Sequence, residues 1–203
     1  MRALIVDYEM GNLGSVKRSL EECGAEVIVS KDPKDLDSAS HVVLPGVGAF
    51  HDGMANLKQY GWIPTLKKAA KDRIPILGIC LGMQLLAEKG YEGGEMQGLG
   101  FIPGEVKRLT PKMPGERIPH VGWNEVHQTK TSPLFEGITS GTDFYFVHSY
   151  YFFPVNKNHA IATTPYCGNF TSAVATENIF GIQFHPEKSS KPGFQLLKNF
   201  LGF

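Results

Sequence analysis

The chain has 203 residues, of which 42% are hydrophobic and 20% charged, and its twenty basic residues balance twenty acidic ones. That length fits one large domain with room for a buried core. A neutral chain with scattered charges does not resemble a nucleic-acid-binding or membrane-surface protein. We therefore expect a globular protein, and we treat residues 1–203 as a single domain.

Strands and helices alternate in the first half of the chain. Apolar runs predict strands at 3–7, 26–29, 41–45 and 75–79, and helical spacing predicts helices at 12–23, over 53–71 in two pieces broken around Gly61 and Pro64, and at 80–88. Asn12 suits the start of the first helix and Gly24 its end. Strands joined by helices through short connections predict right-handed crossovers and a parallel sheet.

From Gly98 onward, short β-like runs, among them the run 144–152, follow one another closely, and the segment 193–201 predicts a closing helix. Such runs, punctuated by proline and glycine, are typical of antiparallel strands. The predicted fold class is therefore α/β: an open, mostly parallel central sheet flanked by helices, with a β-rich, partly antiparallel extension in the C-terminal half.

The three cysteines, Cys23, Cys80 and Cys167, are too few and too far apart for a disulfide framework or a cysteine-based metal site. The N-terminus reaches an acidic residue too soon for a signal peptide, and no apolar run approaches the length of a membrane span. We expect a cytoplasmic protein without a bound metal.

One cysteine stands in an unusual frame. Cys80 lies between Gly78 and Gly82 where a predicted strand meets a predicted helix. The same spacing around serine forms the nucleophile elbow, whose tight turn needs small residues two positions either side. The start of a helix also favours the thiolate. A buried structural cysteine between two packing glycines remains an equally valid interpretation of this motif alone.

A thiol nucleophile needs a base, and "FGIQFHPEKS" singles out one of seven histidines. His185 ends an apolar run, and Glu187 lies near enough to hold its imidazole. Cys80, His185 and Glu187 could then act as nucleophile, base and orienting carboxylate. The alternative is a strand-end histidine beside a solvated glutamate.

Acyl transfer also needs donors for an oxyanion. The backbone N–H of Leu81, directly after the nucleophile, is one candidate. The glycine-rich "LPGVGAF" could supply another N–H around Gly46–Val47. A phosphate-binding loop is disfavoured because the Gly-Lys-Ser/Thr and GxGxxG patterns are absent, and a plain turn is the remaining alternative.

Together, "GICLGMQLL", "LPGVGAF" and "QFHPEKS" resemble the triad-type class I glutamine amidotransferases. Further segments, "IVDYEMGNLGSV", "GLGFIPGEVKRL", "IPHVGWNEV" and "FVHSYYF", resemble one branch of that class, the glutaminase subunits of imidazole glycerol phosphate synthase. The resemblance runs from Ile5 to about Phe200. Two positions depart from the pattern: Glu9 stands where glycine is usual, and Cys167 is unusual.

The resemblance implies that Cys80 attacks the side-chain amide of glutamine, that His185 gives a proton to the leaving ammonia, and that water hydrolyses the thioester. It implies no cofactor. The residues that it places around the substrate are Gly48, Gln84, Glu92, Ser149 and Tyr150.

The resemblance also implies a heterodimer with a cyclase partner, a (β/α)8 barrel that receives the ammonia. We expect four residues to face that partner: Asn12, Trp123, Asn124 and Lys188. For Trp123 the alternative is burial in the core. Other functions left open are a glutaminase that serves another synthase, such as one making pyridoxal phosphate, a thiol hydrolase of related fold, and a catalytically silent regulatory subunit.

Overall fold

The structure is a computed structural model that describes residues 1–203. It contains thirteen strands and five α-helices. The strands are β1 Arg2–Val6, β2 Glu26–Ser30, β3 His41–Gly46, β4 Ile76–Cys80, β5 Ala87–Gly90, β6 Met96–Gln97, β7 Ile102–Arg108, β8 His120–Gln128, β9 Thr142–His148, β10 Tyr150–Pro154, β11 Ala160–Thr164, β12 Phe170–Thr176 and β13 Ile179–Ile182. The helices are α1 Leu13–Glu22, α2 Phe50–Gln59, α3 Trp62–Lys71, α4 Leu81–Leu85 and α5 Ser190–Leu201.

Nine strands form one sheet in the order β2-β1-β3-β4-β13-β12-β11-β8-β9. The strands from β2 to β13 pair in parallel, and those from β13 to β9 pair antiparallel. This arrangement confirms the predicted fold class, including the antiparallel extension. Because the carboxyl ends of β3 and β4 meet at the same edge, Gly46 lies opposite Cys80.

Each face of the parallel part of the sheet packs against a separate apolar core. Because both faces are buried, the parallel strands are apolar throughout. In β1, Ala3 and Ile5 belong to a core covered by α1 and α5, whereas Leu4 and Val6 belong to a core covered by α2, α3 and α4. Successive side chains of a strand point to opposite faces. The sheet is therefore held rigidly from both sides, and its strand ends are well suited to position reactive groups.

Three predictions about elements were wrong. A second sheet of four strands, β10-β7-β5-β6, accompanies the first, although we expected a single extended sheet. The helix expected at 80–88 ends at Leu85, because Ala87–Gly90 pairs with β6 and β7 instead. The apolar run 144–152 is not one strand: it divides at Ser149 into β9 and β10, which belong to different sheets.

Helix boundaries largely follow the expected signals. The Asn12 side chain accepts a hydrogen bond from the Ser15 N–H at the start of α1. Gly61 separates α2 from α3 in a left-handed conformation, whereas Pro64 lies in the first turn of α3 and breaks nothing. None of the helices combines the length and apolar character that crossing a membrane requires.

Candidate active site

Cys80 is the last residue of β4 and directly precedes α4. Its backbone has φ 55° and ψ −110°, a conformation that L-residues rarely adopt. Such strain persists only where the surrounding structure fixes it, and β4 is fixed between β3 and β13. Cys80 is 6% exposed and lies at the wall of a cleft.

The two glycines around Cys80 are required by close backbone contacts. A Cβ atom at Gly78 would lie 2.6 Å from the carbonyl oxygen of Gly82. A Cβ atom at Gly82 would lie 1.7 Å from the carbonyl oxygen of Leu44, on the neighbouring strand. Neither distance is possible for a real side chain, so the crowding expected of an elbow is present.

His185 and Glu187 form a buried pair beyond the end of β13. The His185 Nδ1 atom lies 2.8 Å from Glu187 Oε1, and both side chains are almost inaccessible to solvent. Since a carboxylate only accepts, Nδ1 carries the hydrogen. The backbone of His185 is held as well, because its N–H donates to the Tyr145 carbonyl and its carbonyl accepts from Ser189 Oγ.

Burial by itself lowers the pKa of His185, but the nearby Cys80 and Glu187 side chains outweigh it and raise the pKa to about 10. The other ring nitrogen, Nε2, is buried and forms no hydrogen bond. These surroundings favour the charged imidazolium, the form that protonates a leaving amine.

Gln183 also reaches the nucleophile, and the sequence analysis did not single it out. Its Nε2 atom lies 3.6 Å from the Cys80 Sγ atom, and the residue is fully buried. The Val147 carbonyl lies 3.9 Å from the same sulfur. The only sequence signal for Gln183 is that it lies two residues before His185.

The cleft beside Cys80 has a volume of about 450 Å³. Eight residues predicted to form the site line this cleft. They are Cys80 together with Val47, Gly48, Leu81, Gln84, Glu92, Ser149 and Tyr150. Gly46, His185 and Glu187 lie outside its lining. A larger depression of about 610 Å³, lined by eight of the residues 128–136, contains no cysteine or histidine.

Two polar side chains in the cleft are fixed by hydrogen bonds. Gln84 Nε2 donates to the Tyr150 carbonyl at 2.9 Å and to Gln183 Oε1 at 3.1 Å. Glu92 Oε2 accepts from the Phe50 N–H at 2.8 Å, at the start of α2, where a carboxylate is favoured. One oxygen of each side chain, Gln84 Oε1 and Glu92 Oε1, therefore forms no hydrogen bond.

The predicted oxyanion donors differ in their present partners. Leu81 is the first residue of α4, so its N–H has no acceptor within the helix. The Val47 N–H instead donates to the Met10 carbonyl at 3.3 Å. Gly48 beside it has φ 113°, a conformation available to glycine. The role expected of Gly46–Val47 stays a prediction and requires that this hydrogen bond be given up.

Of the residues predicted to face a partner, Trp123 and Lys188 both lie near the ring of Tyr145, whereas Asn124 is half-buried and its side chain lies against His120. Trp123 is 53% exposed, so the alternative of core burial was wrong. Its ring lies 6.1 Å from that of Tyr145, and Lys188 Nζ lies 5.6 Å from the same Tyr145 ring. Asn12 is exposed at the start of α1, which contacts the Pro186–Lys188 turn.

The family model for class-I glutamine amidotransferases matches residues 4–202. The solved structures that resemble the chain include PurLQS from Thermotoga maritima, with a TM-score of 0.79 at 20% identity over 99% of this chain and 97% of that one. A structure titled as a glutamine amidotransferase has a TM-score of 0.74 at 19% identity, over 96% of this chain and 98% of that one. The chain belongs to the class I glutamine amidotransferase family.

Curated relatives show which branch of this class the chain belongs to. The imidazole glycerol phosphate synthase subunit HisH of Moorella thermoacetica is 50% identical over 97% of this chain and 92% of its own length. The corresponding subunit of Aquifex aeolicus is 45% identical over 98% of this chain and 96% of its own length. Within its class, the chain belongs to this family of synthase subunits.

Proposed function

We propose that the chain is the glutaminase subunit of imidazole glycerol phosphate synthase, an enzyme of histidine biosynthesis. It hydrolyses glutamine to glutamate and ammonia, and it delivers the ammonia to a cyclase partner. The observation that carries the proposal is the buried His185–Glu187 pair behind an elbow cysteine, in a chain half identical to a synthase subunit. A glutaminase serving another synthase is not favoured by these relatives.

The geometry supports a thioester mechanism. The proton of the Cys80 thiol passes to His185 Nε2, which gives the imidazolium that Cys80 and Glu187 favour, and Sγ attacks the side-chain amide carbon of glutamine. The tetrahedral intermediate collapses as Nε2 returns that proton to the leaving nitrogen, which departs as ammonia. Water then attacks the thioester with Nε2 as base, and glutamate and the free thiol are formed. Glu187 holds the ring throughout.

The substrate's amino-acid end would meet Gln84, Glu92 and the Ser149–Tyr150 segment. The oxygen of Glu92 that Phe50 does not bind can accept from the substrate's ammonium group. Gln84 Oε1 can also accept a hydrogen bond from this ammonium group. It is the free polar atom of Gln84, because both N–H groups of the side chain already have acceptors. These roles use only atoms that the fold leaves unpaired.

Formation of the oxyanion hole would depend on the loop after β3. Leu81 supplies one N–H, and a second donor at Gly46–Val47 becomes available when Val47 releases the Met10 carbonyl. Glycine on either side makes such a peptide rotation easy. We expect low glutaminase activity in the isolated chain and higher activity when the cyclase partner and its nucleotide ligand are bound.

Ammonia released into neutral water would become ammonium, which is not a nucleophile, so transfer through a closed passage is advantageous. A (β/α)8 barrel docked over Asn12, Trp123, Asn124 and Lys188 would provide that closure. The three cysteines form no disulfide, which suits the reducing cytoplasm, where we place the complex.

The decisive variant is Cys80→Ala in the complex with the cyclase. We expect glutamine-dependent cyclisation to fall by about a thousandfold or more, because the covalent step is lost. Ammonia-dependent cyclisation should be unchanged, since the cyclase site is untouched. Initial rates with glutamine and with ammonium salts measure both activities.

The matched control is Cys167→Ala, at a partly exposed cysteine distant in sequence from the elbow. It should retain both activities. If the Cys80→Ala complex still uses glutamine, Cys80 is not the nucleophile. If the unaltered complex never uses glutamine, the proposed function is wrong.

A further inference from the structure

A chain of hydrogen bonds leads from the half-buried Asn124 on β8 to the substrate end of the cleft. Asn124 Nδ2 lies 3.2 Å from His120 Nε2. His120 Nδ1 lies 3.1 Å from His148 Nε2. His148 Nδ1 lies 2.8 Å from the carbonyl oxygen of Tyr150. The thioester mechanism uses neither histidine.

Both histidines are enclosed by apolar surroundings. His120 is 4% exposed and His148 is 6% exposed. The His120 ring stacks on Tyr166 with centroids 4.0 Å apart, and His148 meets Phe170 edge to face at 4.8 Å. Burial lowers the pKa of His120 to about 4 and that of His148 to about 3. Both rings are therefore neutral at pH 7.

Neutral rings fix the direction of every bond in this chain. The Tyr150 carbonyl only accepts, so His148 Nδ1 carries the hydrogen and His148 Nε2 is an acceptor. His120 Nδ1 must then donate, which leaves His120 Nε2 to accept from the Asn124 amide. The Asn124 Oδ1 atom agrees with this orientation, because it accepts from the Glu125 N–H.

The same carbonyl orients the amides nearest the nucleophile. Tyr150 begins β10, the edge strand of its sheet, and its oxygen takes partners from side chains. Because this oxygen only accepts, Gln84 must turn its nitrogen toward it. The other N–H of Gln84 meets Gln183 Oε1, which turns Gln183 Nε2 toward Cys80 Sγ.

We propose that His120 and His148 are positioning residues that lock the Tyr150 carbonyl and, through it, the amides of Gln84 and Gln183. This proposal rests on the proposed function. These hydrogen bonds hold the Tyr150 carbonyl at the point where the chain leaves one sheet, at His148, and enters the other, at Tyr150. They act on glutamine binding, because Gln84 and Tyr150 line the cleft.

The first test is the tautomer of each ring, measured by ¹⁵N NMR of the histidine-labelled full chain at pH 7. Variants His120→Gln and His148→Gln assign the signals. We expect both rings to be neutral and to carry hydrogen on Nδ1, although the Nε2–H tautomer is the commoner form of free histidine. An Nε2–H tautomer or an imidazolium at either position would overturn the proposal.

The second test uses His120, which does not line the cleft. In the complex, His120→Phe should raise the KM for glutamine about tenfold, as expected when a buried hydrogen-bonded contact is lost, while kcat changes less than about threefold. His120→Gln keeps a donor and an acceptor and should restore most of the KM. A KM equal to that of the unaltered complex in His120→Phe would contradict the positioning role.

The matched control is His41→Phe. His41 is also a buried histidine, but it contacts Ser40 and Phe200 and takes no part in this chain. It should leave the KM unchanged even if it lowers the melting temperature. If His41→Phe raised the KM equally, the effect would be general destabilisation, and the positioning role would be wrong.

The two proposals fail in different ways. A complex that never hydrolyses glutamine would refute the proposed function, whatever the tautomers are. A complex that hydrolyses glutamine but shows the other tautomer, or an unchanged KM in His120→Phe, would refute only the positioning role.

Discussion

At the scale of single residues, Cys80 and Glu9 have backbone conformations that L-residues rarely adopt. Cys80, the proposed nucleophile, has φ 55°, a strained conformation that costs about 1–3 kcal/mol. Glu9, the position at which the resemblance leads us to expect glycine, has φ 64°, a conformation that glycine adopts readily. The Glu9 carboxylate forms an exposed ion pair with Lys31 Nζ at 2.6 Å.

Trp123→Ala tests the predicted partner surface at this scale. Trp123 is a large apolar side chain that is 53% exposed, and tryptophans of this kind are often dominant contacts in interfaces. We expect the variant to bind the cyclase at least about tenfold more weakly. We also expect it to release more glutamate for each molecule of cyclised product. Titration calorimetry and product ratios at saturating partner separate the two effects.

Val155→Ala is the control, because Val155 is 72% exposed but follows β10 in the second sheet. It should leave binding and product ratios unchanged. Unchanged coupling in Trp123→Ala would rule out a role for this residue at the ammonia passage.

At the scale of elements, the site depends on how β3, β4 and α4 meet. The backbone of α4 passes so close to β3 that only glycine fits at position 82. No side chain caps the start of α4, and the helix is five residues long. The division of β9 from β10 at Ser149 forms the opposite wall of the cleft.

Gly82→Ala should destabilise the protein by about 3 kcal/mol or more, because its Cβ atom would overlap the Leu44 carbonyl oxygen in a rigid sheet. Urea unfolding followed by circular dichroism measures the change. Gly14→Ala is the control, since nothing lies within 4 Å of a Cβ atom there. In a helix, that change should be neutral or stabilise by up to about 1 kcal/mol. Equal stabilities of the two variants would show that the elbow is not crowded.

At the scale of the whole molecule, burial of neutral histidines links folding to pH. Burial lowers the pKa of His148 to about 3, whereas an unfolded histidine has a pKa of about 6.5. Below that unfolded value the unfolded chain binds the additional proton, so stability rises with pH there. The contribution is complete above about pH 6.5 and is lost as the pH falls toward 3.

We therefore expect the free energy of unfolding to decrease between pH 7 and pH 5, by about 2 kcal/mol for His148 alone. Denaturant unfolding at several pH values measures this slope. His148→Phe should flatten it, whereas His127→Phe, at an exposed ring on β8, should leave it unchanged. A slope in His148→Phe equal to that of the unaltered chain would show that His148 is not buried in its neutral form.

Much of the fold could be predicted because local patterns record burial. Apolar runs predict β1, β3 and β4 because these strands are covered on both faces. The short α4 and the break at Ser149 were missed, because strand pairing with distant residues, and not local propensity, decides them.

For the site, the sequence by itself determined the frame of the nucleophile and the candidate triad, because glycine spacing and a His-Pro-Glu turn are local features. Only the tertiary structure decided what surrounds Cys80. Gln183 reaches its sulfur from 103 residues away. The two histidines that orient Tyr150 are 28 residues apart and meet only because β8 pairs with β9. Such contacts depend on how strands cross in space, which no local pattern encodes.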